Sequence, residues 1–258
     1  MSLENRVALV TGGGRGIGAK IALRLAEEKA RVVICGTTPE RLDETADEIR
    51  RRDATALAVR ADIADEAQVK AMFDQTRREL GEVQILINNA GIAGPTAGIA
   101  EISLSDWDRT LAVNLTGAFL CCREAAPSMI ARQWGKIINI SSMAGKVGYP
   151  LRTPYAASKW AMIGMTLTLA RELGSSGIQV NAICPGPIQG ERMQRVIRAR
   201  AEQQGRPIEK VARQFVASTA LGRMATEDEV AAMVIYLLSD SAAAITGQAI
   251  DVAAGYGI

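Results

Sequence analysis

The chain carries a tyrosine and a lysine four residues apart, in the segment RTPYAASKWA at residues 152–161. A free tyrosine titrates at about pH 10, so at neutral pH it exchanges protons poorly unless a nearby positive charge favours its phenolate. Residues four apart on an α-helix lie on one face, and the segment predicts a helix with Thr153 as N-cap and Pro154 as first helical residue. Tyr155 and Lys159 can therefore act as an acid/base pair, although this spacing alone is common on ordinary surface helices.

Histidine is absent from the 258 residues, which excludes a Ser-His-Asp mechanism and removes the commonest metal ligand. A composition of 48% apolar and 22% charged residues is ordinary for a globular protein, and we expect residues 1–258 to form one domain. A net charge of +2 and an aromatic content of 4% do not favour nucleic-acid binding. We therefore expect a small-molecule partner, no nucleic acid and no metal.

The N-terminal sequence MSLENRVALV lacks the basic and apolar regions of a secretory leader, and no apolar run reaches the roughly 18–20 residues that span a bilayer. Four cysteines occur without the spacing of a metal site or a disulfide framework: Cys35, Cys121, Cys122 and Cys184. We expect a cytoplasmic protein that does not contact membranes and whose cysteines are buried, reduced thiols.

Short β-branched apolar runs alternate with amphipathic segments along the chain. This alternation predicts an α/β fold of the Rossmann type, a doubly wound parallel sheet of about seven strands with helices on both faces. The charged, helix-prone segment at about 189–216 follows a predicted strand end, where a lid over the site would lie. Helices are predicted from about residues 17, 39, 65 and 153, and across 105–132 and 227–238.

A glycine-rich segment, TGGGRGIG at residues 11–18, directly follows the first predicted strand and opens the first predicted helix. Gly12, Gly16 and Gly18 let the backbone turn tightly and approach a pyrophosphate at the positive end of that helix. The position between strand and helix, more than the glycines themselves, indicates a dinucleotide-binding loop, which also includes Ile17.

The tip of the second predicted strand, ICGTT, sets the expected choice of cofactor. An acidic residue there would bind the ribose 2′-hydroxyl of NAD. Thr37 and its neighbours are uncharged, and Arg15 in the glycine loop can reach a 2′-phosphate. We expect NADP(H) to be favoured, with NAD(H) as the alternative if Arg15 is only a solvent-facing loop residue.

With these features the sequence resembles the short-chain dehydrogenase/reductase family, in particular its 3-oxoacyl-carrier-protein reductases, over nearly the whole chain. Ser142 stands thirteen residues before Tyr155, the usual distance in that family. The other matching residues, in chain order, are Asp62, Ile63, Asn89, Ala90, Gly91, Asn114, Lys159, Pro185, Gly186 and Ile188.

The resemblance implies an oxidoreductase that acts on a secondary alcohol or a ketone. In the family, the residue matching Tyr155 exchanges a proton with the substrate oxygen, and the one matching Ser142 donates a hydrogen bond to it. Lys159 matches the lysine that lowers the tyrosine pKa and binds the nicotinamide ribose. Asn114 matches the active-site asparagine, whose helix holds the water of a proton relay.

The resemblance also implies how the cofactor is held. Asp62 and Ile63 match the pair that packs on adenine. The NNAG turn at residues 88–91 matches one that stabilises the sheet and flanks the cofactor. The matches beside the nicotinamide are Pro185, Gly186 and Ile188.

Two departures from the family pattern affect the nicotinamide site and the assembly. Gly190 replaces a threonine that often bonds the carboxamide, and the C-terminal segment reads VAAG in place of the frequent VDGG. Apolar faces predicted at residues 106–132 and 153–174 indicate, with the resemblance, a homotetramer. The alternative function is a catalytically weak, cofactor-sensing regulatory protein, although such proteins usually lose the tyrosine or lysine.

Substrate charge is a further hypothesis. Arg152 lies three residues before Tyr155, in a loop expected to line the cleft. One guanidinium pointing inward would clamp a carboxylate, phosphate or sulfonate, so we hypothesise that Arg152 binds an anionic group near the reacting carbon. Most basic residues of the lid-like segment are expected to be solvated, some of them paired with Glu191, Glu202 or Glu209. These basic residues are Arg192, Arg195, Arg198, Arg200, Arg206, Lys210 and Arg213.

Overall fold

One sheet of seven parallel strands forms the centre of the protein in the computed structural model, which describes residues 3–257. The strand order is β3-β2-β1-β4-β5-β6-β7, which confirms the prediction of a doubly wound α/β fold. Val and Ile are the commonest residues of these strands, and the central strands are buried on both faces of the sheet. The strands are β1 Val7–Thr11, β2 Arg31–Gly36, β3 Ala56–Arg60, β4 Ile85–Asn88, β5 Gly135–Ile140, β6 Ile178–Pro185 and β7 Ala249–Val252.

Helices connect these strands and cover both faces of the sheet. The helices of the described residues are α1 Gly16–Glu27, α2 Pro39–Arg50, α3 Glu66–Glu79, α4 Leu104–Leu111, α5 Gly117–Ala131, α6 Thr153–Leu173, α7 Glu191–Gln204, α8 Ile208–Ala217 and α9 Glu227–Leu238. One apolar cluster packs α1, α2 and α9 on one face of the sheet, and a second packs α3, α5 and α6 on the other face.

The strand order reverses between β1 and β4, because the chain winds outward from β1 in one direction and from β4 in the other. The connections after these two strands therefore lead to opposite faces and leave a crevice at the carboxyl ends of the strands. The glycine-rich loop follows β1, and the NNAG turn begins in the last residue of β4. Both motifs consequently lie at the crevice.

Two helix predictions need correction. The helix predicted across 105–132 is interrupted by a π-helical turn, Ala112–Thr116, between α4 and α5. The N-cap of α6 is Arg152, not Thr153, because the Arg152 carbonyl already accepts the Ala156 amide while its own φ of −138° is not helical. Pro154 is consequently the second helical residue, not the first.

The lid-like segment forms α7 and α8, which pack on each other through a small apolar cluster. Its buried members are Ile197, Ala201, Val211 and Phe215.

All four cysteines are buried free thiols. Burial raises the pKa of Cys35 and Cys122 to about 12 and that of Cys184 to about 11. Burial likewise raises the pKa of Cys121. Among the described residues, no helix is both long and apolar enough to cross a bilayer.

Candidate active site

A cavity of about 1310 Å³ runs along the carboxyl ends of the strands, from the glycine-rich loop to Tyr155. Every residue predicted to bind cofactor or substrate lines it, and so do Ser142, Tyr155 and Lys159. Asn114 is the exception among the predicted site residues, because it lies behind the cavity wall. The predicted cofactor and substrate residues on the wall are Gly12, Arg15, Gly16, Ile17, Gly18, Thr37, Asp62, Ile63, Asn89, Ala90, Gly91, Arg152, Pro185, Gly186 and Ile188.

The glycine-rich loop is packed too tightly for larger residues. Gly12 has a φ of +65°, and a Cβ there would lie 2.9 Å from Ala90 Cα. A Cβ on Gly18 would collide with the Gly12 carbonyl oxygen. In the part of the chain that the structure describes, no side chain caps the N-terminus of α1, so its first amides are available to a phosphate at the positive end of the helix. This loop fits the pyrophosphate of a dinucleotide.

Thr11, which the sequence reading did not single out, fastens the NNAG turn to the glycine-rich loop. Its hydroxyl oxygen accepts the amides of Asn89 and Ala90, both at 3.0 Å. The Asn89 side-chain amide donates in return to the carbonyls of Thr11 and Gly12, at 2.9 and 3.1 Å. The two loops that face the expected cofactor are therefore held at a fixed separation.

Two arginines line the cavity near the connection from β2 to α2. Arg15 is exposed and precedes α1, and Arg41, which the sequence reading missed, lies beside Gly14 in the first turn of α2. Thr37 is exposed, lines the same cavity and directly follows β2. The only sequence signal for Arg41 was a basic residue shortly after the strand tip.

Asp62 and Ile63 lie on the opposite wall. Asp62 accepts the Ala64 amide at 3.0 Å and forms an ion pair with Arg109 at 2.9 Å. Ile63 is 4% exposed and packs so closely on Gly117 that a Cβ there would lie 2.6 Å from its Cδ1. Helix α5 therefore fixes this wall.

A carboxylate that the sequence reading missed reaches the cavity from the start of α9. Glu227 Oε1 lies 3.3 Å from the position of a Cβ on Gly16 and 2.9 Å from that of a Cβ on Gly190. A side chain at position 190 would therefore collide with this carboxylate. Burial raises the pKa of Glu227, Lys20 lowers it, and the neighbouring carboxylates of Asp228 and Glu191 raise it further.

Tyr155 lies at the other end of the cavity, on the first turn of α6. Burial raises its pKa, but Arg192, Lys159, the Ser142 hydroxyl and Arg152, in decreasing order, favour the phenolate, and the net pKa lies below the usual value. The sequence reading named only Lys159 as the cause. Arg192 contributes more and comes from α7, with its guanidinium carbon 5.8 Å from the tyrosine ring centroid.

Lys159 lies one turn beyond Tyr155 and is 3% exposed. Its ammonium nitrogen donates to the Ile140 carbonyl at 2.8 Å and lies 5.8 Å from the Tyr155 ring centroid. Burial lowers the pKa of Lys159 to about 8, with Tyr155 opposing the shift. The side chain is thus held at the end of β5, beside the tyrosine.

Ser142 follows β5 and faces the cavity. Its hydroxyl oxygen accepts the Ala144 amide at 3.1 Å, which fixes the oxygen and leaves the hydrogen to donate. The Ser142 hydroxyl and the Tyr155 phenol therefore lie at one place where a substrate oxygen could accept from both.

Asn114 is fully buried in the π-helical turn, and its side chain is committed to neighbouring protein groups. Its Oδ1 accepts the Ile92 amide at 2.8 Å, and its Nδ2 donates to the Ile92 carbonyl and to Ser158 Oγ, both at 3.1 Å. Ser158 in turn donates to the Tyr155 carbonyl at 2.7 Å. The Asn114 side chain thus links the NNAG turn to the helix that carries Tyr155.

Helix α7 lies over the same end of the cavity. Arg192 Nη1 donates to the Gly91 carbonyl at 3.2 Å, which joins α7 to the NNAG turn. Of the predicted acid–base pairs in this segment, Arg195 with Glu191 is observed, at 3.9 Å. Pro185 is the last residue of β6 and Gly186 follows it, and Ile188 forms a parallel bridge with Ala225.

Comparison with known proteins places this geometry in a family. The family model described as short chain dehydrogenase matches residues 6–202. A protein of Streptomyces violaceoruber, provisionally named ketoacyl reductase 1 of the granaticin polyketide synthase, is 41% identical over 97% of this chain and 93% of its own. The 3-oxoacyl-[acyl-carrier-protein] reductase FabG of Staphylococcus aureus is 36% identical over 96% of both chains.

Solved structures agree with this assignment. NAD+-bound xylitol dehydrogenase superposes with a TM-score of 0.96 at 32% identity, covering 99% of this chain and 100% of its own. A variant of actinorhodin polyketide ketoreductase with NADPH superposes with a TM-score of 0.94 at 35% identity, covering 98% and 97%. These relatives are named as reductases or dehydrogenases, not as regulators, and the chain belongs to the short-chain dehydrogenase family of nicotinamide-dependent oxidoreductases.

Proposed function

We propose that this oxidoreductase interconverts a ketone and a secondary alcohol with Tyr155 as general acid and base, and that it prefers NADP(H). The observation that carries the proposal is the convergence of Tyr155, Ser142 and Lys159 at one end of a cavity whose other end is the glycine-rich loop. In this arrangement Gly12, Gly16 and Gly18 hold the pyrophosphate of the cofactor.

When bound, the nicotinamide supplies a hydride to the substrate carbon or accepts one from it. In reduction, Tyr155 gives its phenolic proton to the carbonyl oxygen, so that hydride and proton together convert the ketone to the alcohol. In oxidation, its phenolate removes the alcohol proton. Ser142 donates a hydrogen bond to the same oxygen and keeps it within reach of the phenol.

The charges around Tyr155 make this exchange feasible near neutral pH. Lys159 and Arg192 both stabilise the phenolate, which shifts its formation below the pH at which a free tyrosine ionises. Lys159 itself, with a pKa of about 8, is poised to lose and regain a proton in the working range. The pair thus performs the acid/base task that histidine performs in many other enzymes.

A direct test mixes the purified protein with NADPH and a panel of ketones, and with NADP+ and the corresponding alcohols. Turnover of a ketone that disappears in Tyr155→Phe is the expected result. Nucleotide binding without turnover of any panel member in either direction would favour the cofactor-sensing alternative.

The preference for NADP(H) rests on the charges at the adenosine end of the cavity. Arg15 and Arg41 line it, and Thr37 stands where a carboxylate would select NAD. Because a 2′-phosphate gains charge-assisted hydrogen bonds from guanidinium groups, Arg15→Ala and Arg41→Ala should each lower kcat/KM for NADPH roughly 10-fold or more. Their kcat/KM for NADH should change little.

Arg51→Ala provides the control, because Arg51 is exposed at the C-terminal end of α2 and does not line the cavity. A wild-type kcat/KM that is higher with NADH than with NADPH would contradict the assigned preference.

Exposed apolar side chains on α5 and α6 favour assembly into a homotetramer. They are Phe119, Ile130, Trp160 and Leu167, each 41–52% exposed in one chain. Several large apolar side chains exposed on two neighbouring helices of one chain are typical of an interface between subunits. Sedimentation should give a tetramer, and a stable monomer at micromolar concentration would contradict this. The four free thiols favour a reducing, cytoplasmic compartment.

A further inference from the structure

A buried guanidinium without a charged partner lies at the catalytic end of the cavity. Arg152 is 5% exposed, and its Nη1 donates to the Thr96 hydroxyl at 2.7 Å. Within residues 3–257 its Nε is buried and has no hydrogen-bond partner. No carboxylate of the described residues forms an ion pair with Arg152, and none of them bonds its Nη2.

The charges of two more guanidinium groups, Arg192 and Arg200, act on Arg152. Arg152 and Arg192 have their guanidinium carbons 5.7 and 5.8 Å from the Tyr155 ring centroid. Arg200 lies 5.1 Å from the ring centroid of Tyr149, which also lines the cavity. The described residues provide neither Arg192 nor Arg200 with an ion pair.

This concentration of charge is costly without an anion. Burial lowers the pKa of Arg152, the hydroxyls of Tyr149 and Tyr155 oppose that shift, and the charges of Arg192 and Arg200 add to it. Glu202 lines the same cavity but forms no ion pair with these arginines in the part of the chain that the structure describes. Buried charges in proteins are normally paired, so an unpaired guanidinium in a binding cavity points to a charged ligand.

We propose that the substrate bears a carboxylate close to the reacting carbonyl, and that Arg152 binds it with Arg192 and Arg200 adding to the positive field. This rests on the proposed function, because Tyr155 marks the reacting carbon. The Arg152 guanidinium is a planar, permanently charged donor, and its Nη2, which has no partner among the described residues, can donate to a carboxylate oxygen. With the Arg152 guanidinium carbon 5.7 Å from the Tyr155 ring centroid, the acid is a 3-oxo acid or the corresponding 3-hydroxy acid, with the carboxylate close to the reaction centre.

The test compares acids with their neutral counterparts. Acetoacetate and 3-oxo-3-phenylpropanoate are each paired with the methyl ester, and 2-oxopropylphosphonate represents a tetrahedral anion. Calorimetric titration of the protein saturated with NADP+ measures binding without turnover, and kcat/KM with NADPH measures reduction. The variants are Arg152→Gln, Arg152→Lys and, as a matched control, Arg198→Gln, since Arg198 is exposed on α7 and does not line the cavity.

We expect at least one acid to bind 10-fold or more tightly than its ester, and Arg152→Gln to reduce that affinity roughly 10- to 100-fold. Ester binding, NADP+ binding and the unfolding temperature should change little, and Arg152→Lys should restore part of the affinity for the acid. The control should behave as wild type. If Arg152→Gln does not fold, Arg152→Lys alone must still weaken the acid more than the ester.

Other outcomes separate this proposal from the proposed function. Turnover of the esters with no preference for the acids, or an acid preference that survives in Arg152→Gln, would overturn the carboxylate site and leave the reductase intact. Binding of an acid that depends on Arg152 but gives no turnover would support the site and contradict the reductase. Tighter binding of the phosphonate than of both acids, or no binding of either acid, would overturn the assignment of a carboxylate.

Discussion

Replacing Asn114 by alanine tests whether this residue acts in the chemistry or holds the site together. The substitution removes the hydrogen bonds to the Ile92 amide, the Ile92 carbonyl and Ser158. A buried polar group left without a partner costs about 1–3 kcal/mol. Because Ile92 is 36% exposed, water can replace part of the loss, and the low end of that range applies. Two backbone groups then give a destabilisation of about 2–3 kcal/mol.

For a chain of this size, 1 kcal/mol corresponds to roughly 2–4 °C in unfolding temperature, so Asn114→Ala should melt roughly 4–12 °C below wild type. The same bonds position the NNAG turn and, through Ser158, the helix that carries Tyr155. Small displacements of reacting groups lower the rate of reaction strongly, so kcat/KM should fall roughly 10- to 100-fold. Calorimetry and steady-state kinetics, measured well below the new melting temperature, check both numbers.

Asn181→Ala is the matched control. Asn181 is 1% exposed and also bonds backbone groups, donating to the Ile245 carbonyl and accepting the Gln248 amide, both at 2.9 Å. It lies on β6, outside the cavity lining, so it should lose stability but keep kcat/KM within about twofold. A large loss of activity in Asn114→Ala with an unchanged melting temperature would refute the positioning role.

Tyr155→Phe removes only the transferable proton and should lower kcat roughly 10²- to 10⁴-fold while leaving NADPH binding, measured by fluorescence, unchanged; near-normal turnover would contradict the mechanism. Because oxidation needs the phenolate and reduction needs the phenol, kcat/KM should rise with pH for the alcohol and fall for the ketone, and Arg192→Gln should move both profiles to higher pH. Unchanged pH profiles in Arg192→Gln would show that Arg192 does not lower the pKa of Tyr155. Glu227 ionises as pH rises through its raised pKa and then repels the pyrophosphate, so NADPH should bind more weakly with increasing pH. Glu227→Gln should bind it more tightly and abolish that dependence, and an unaltered pH dependence would exclude this carboxylate.

The sheet could be predicted because local pattern determines it. Strands buried on both faces require continuous β-branched runs, and the alternation with amphipathic segments leaves little choice but a doubly wound parallel sheet. The π-helical turn was not predicted, and it contains Asn114, whose bonds to residues distant in the chain are not visible in a local pattern. The predicted N-cap of α6 was one residue too late for a similar reason. The Arg152 backbone carbonyl accepts the first hydrogen bond of the helix, and Thr153 is already a helical residue.

The positions of the catalytic and cofactor motifs followed from family spacing, but the electrostatics did not. Arg192 and Glu227 act on the cavity from α7 and α9, and no spacing in the sequence relates either of them to Tyr155 or to the glycine-rich loop. Thr11 is an intermediate case. The sequence shows a hydroxyl residue immediately before the glycines, but only the structure shows that this hydroxyl accepts two amides of the NNAG turn.

The four buried cysteines allow alkylation rates to report where the folded structure opens. With a pKa of about 12, Cys35 and Cys122 are ionised at neutral pH in roughly one molecule in a hundred thousand, so alkylating reagents meet almost no thiolate in the folded protein. Each cysteine is therefore labelled only when an opening of the structure exposes its sulfur to solvent. Cys35 lies in β2 and Cys121 and Cys122 in α5, whereas Cys184 belongs to the small cluster around Met143 and Ala253. Equal labelling rates at all four would mean that the sheet opens as one cooperative unit, and faster labelling of Cys184 would show that the catalytic end opens separately.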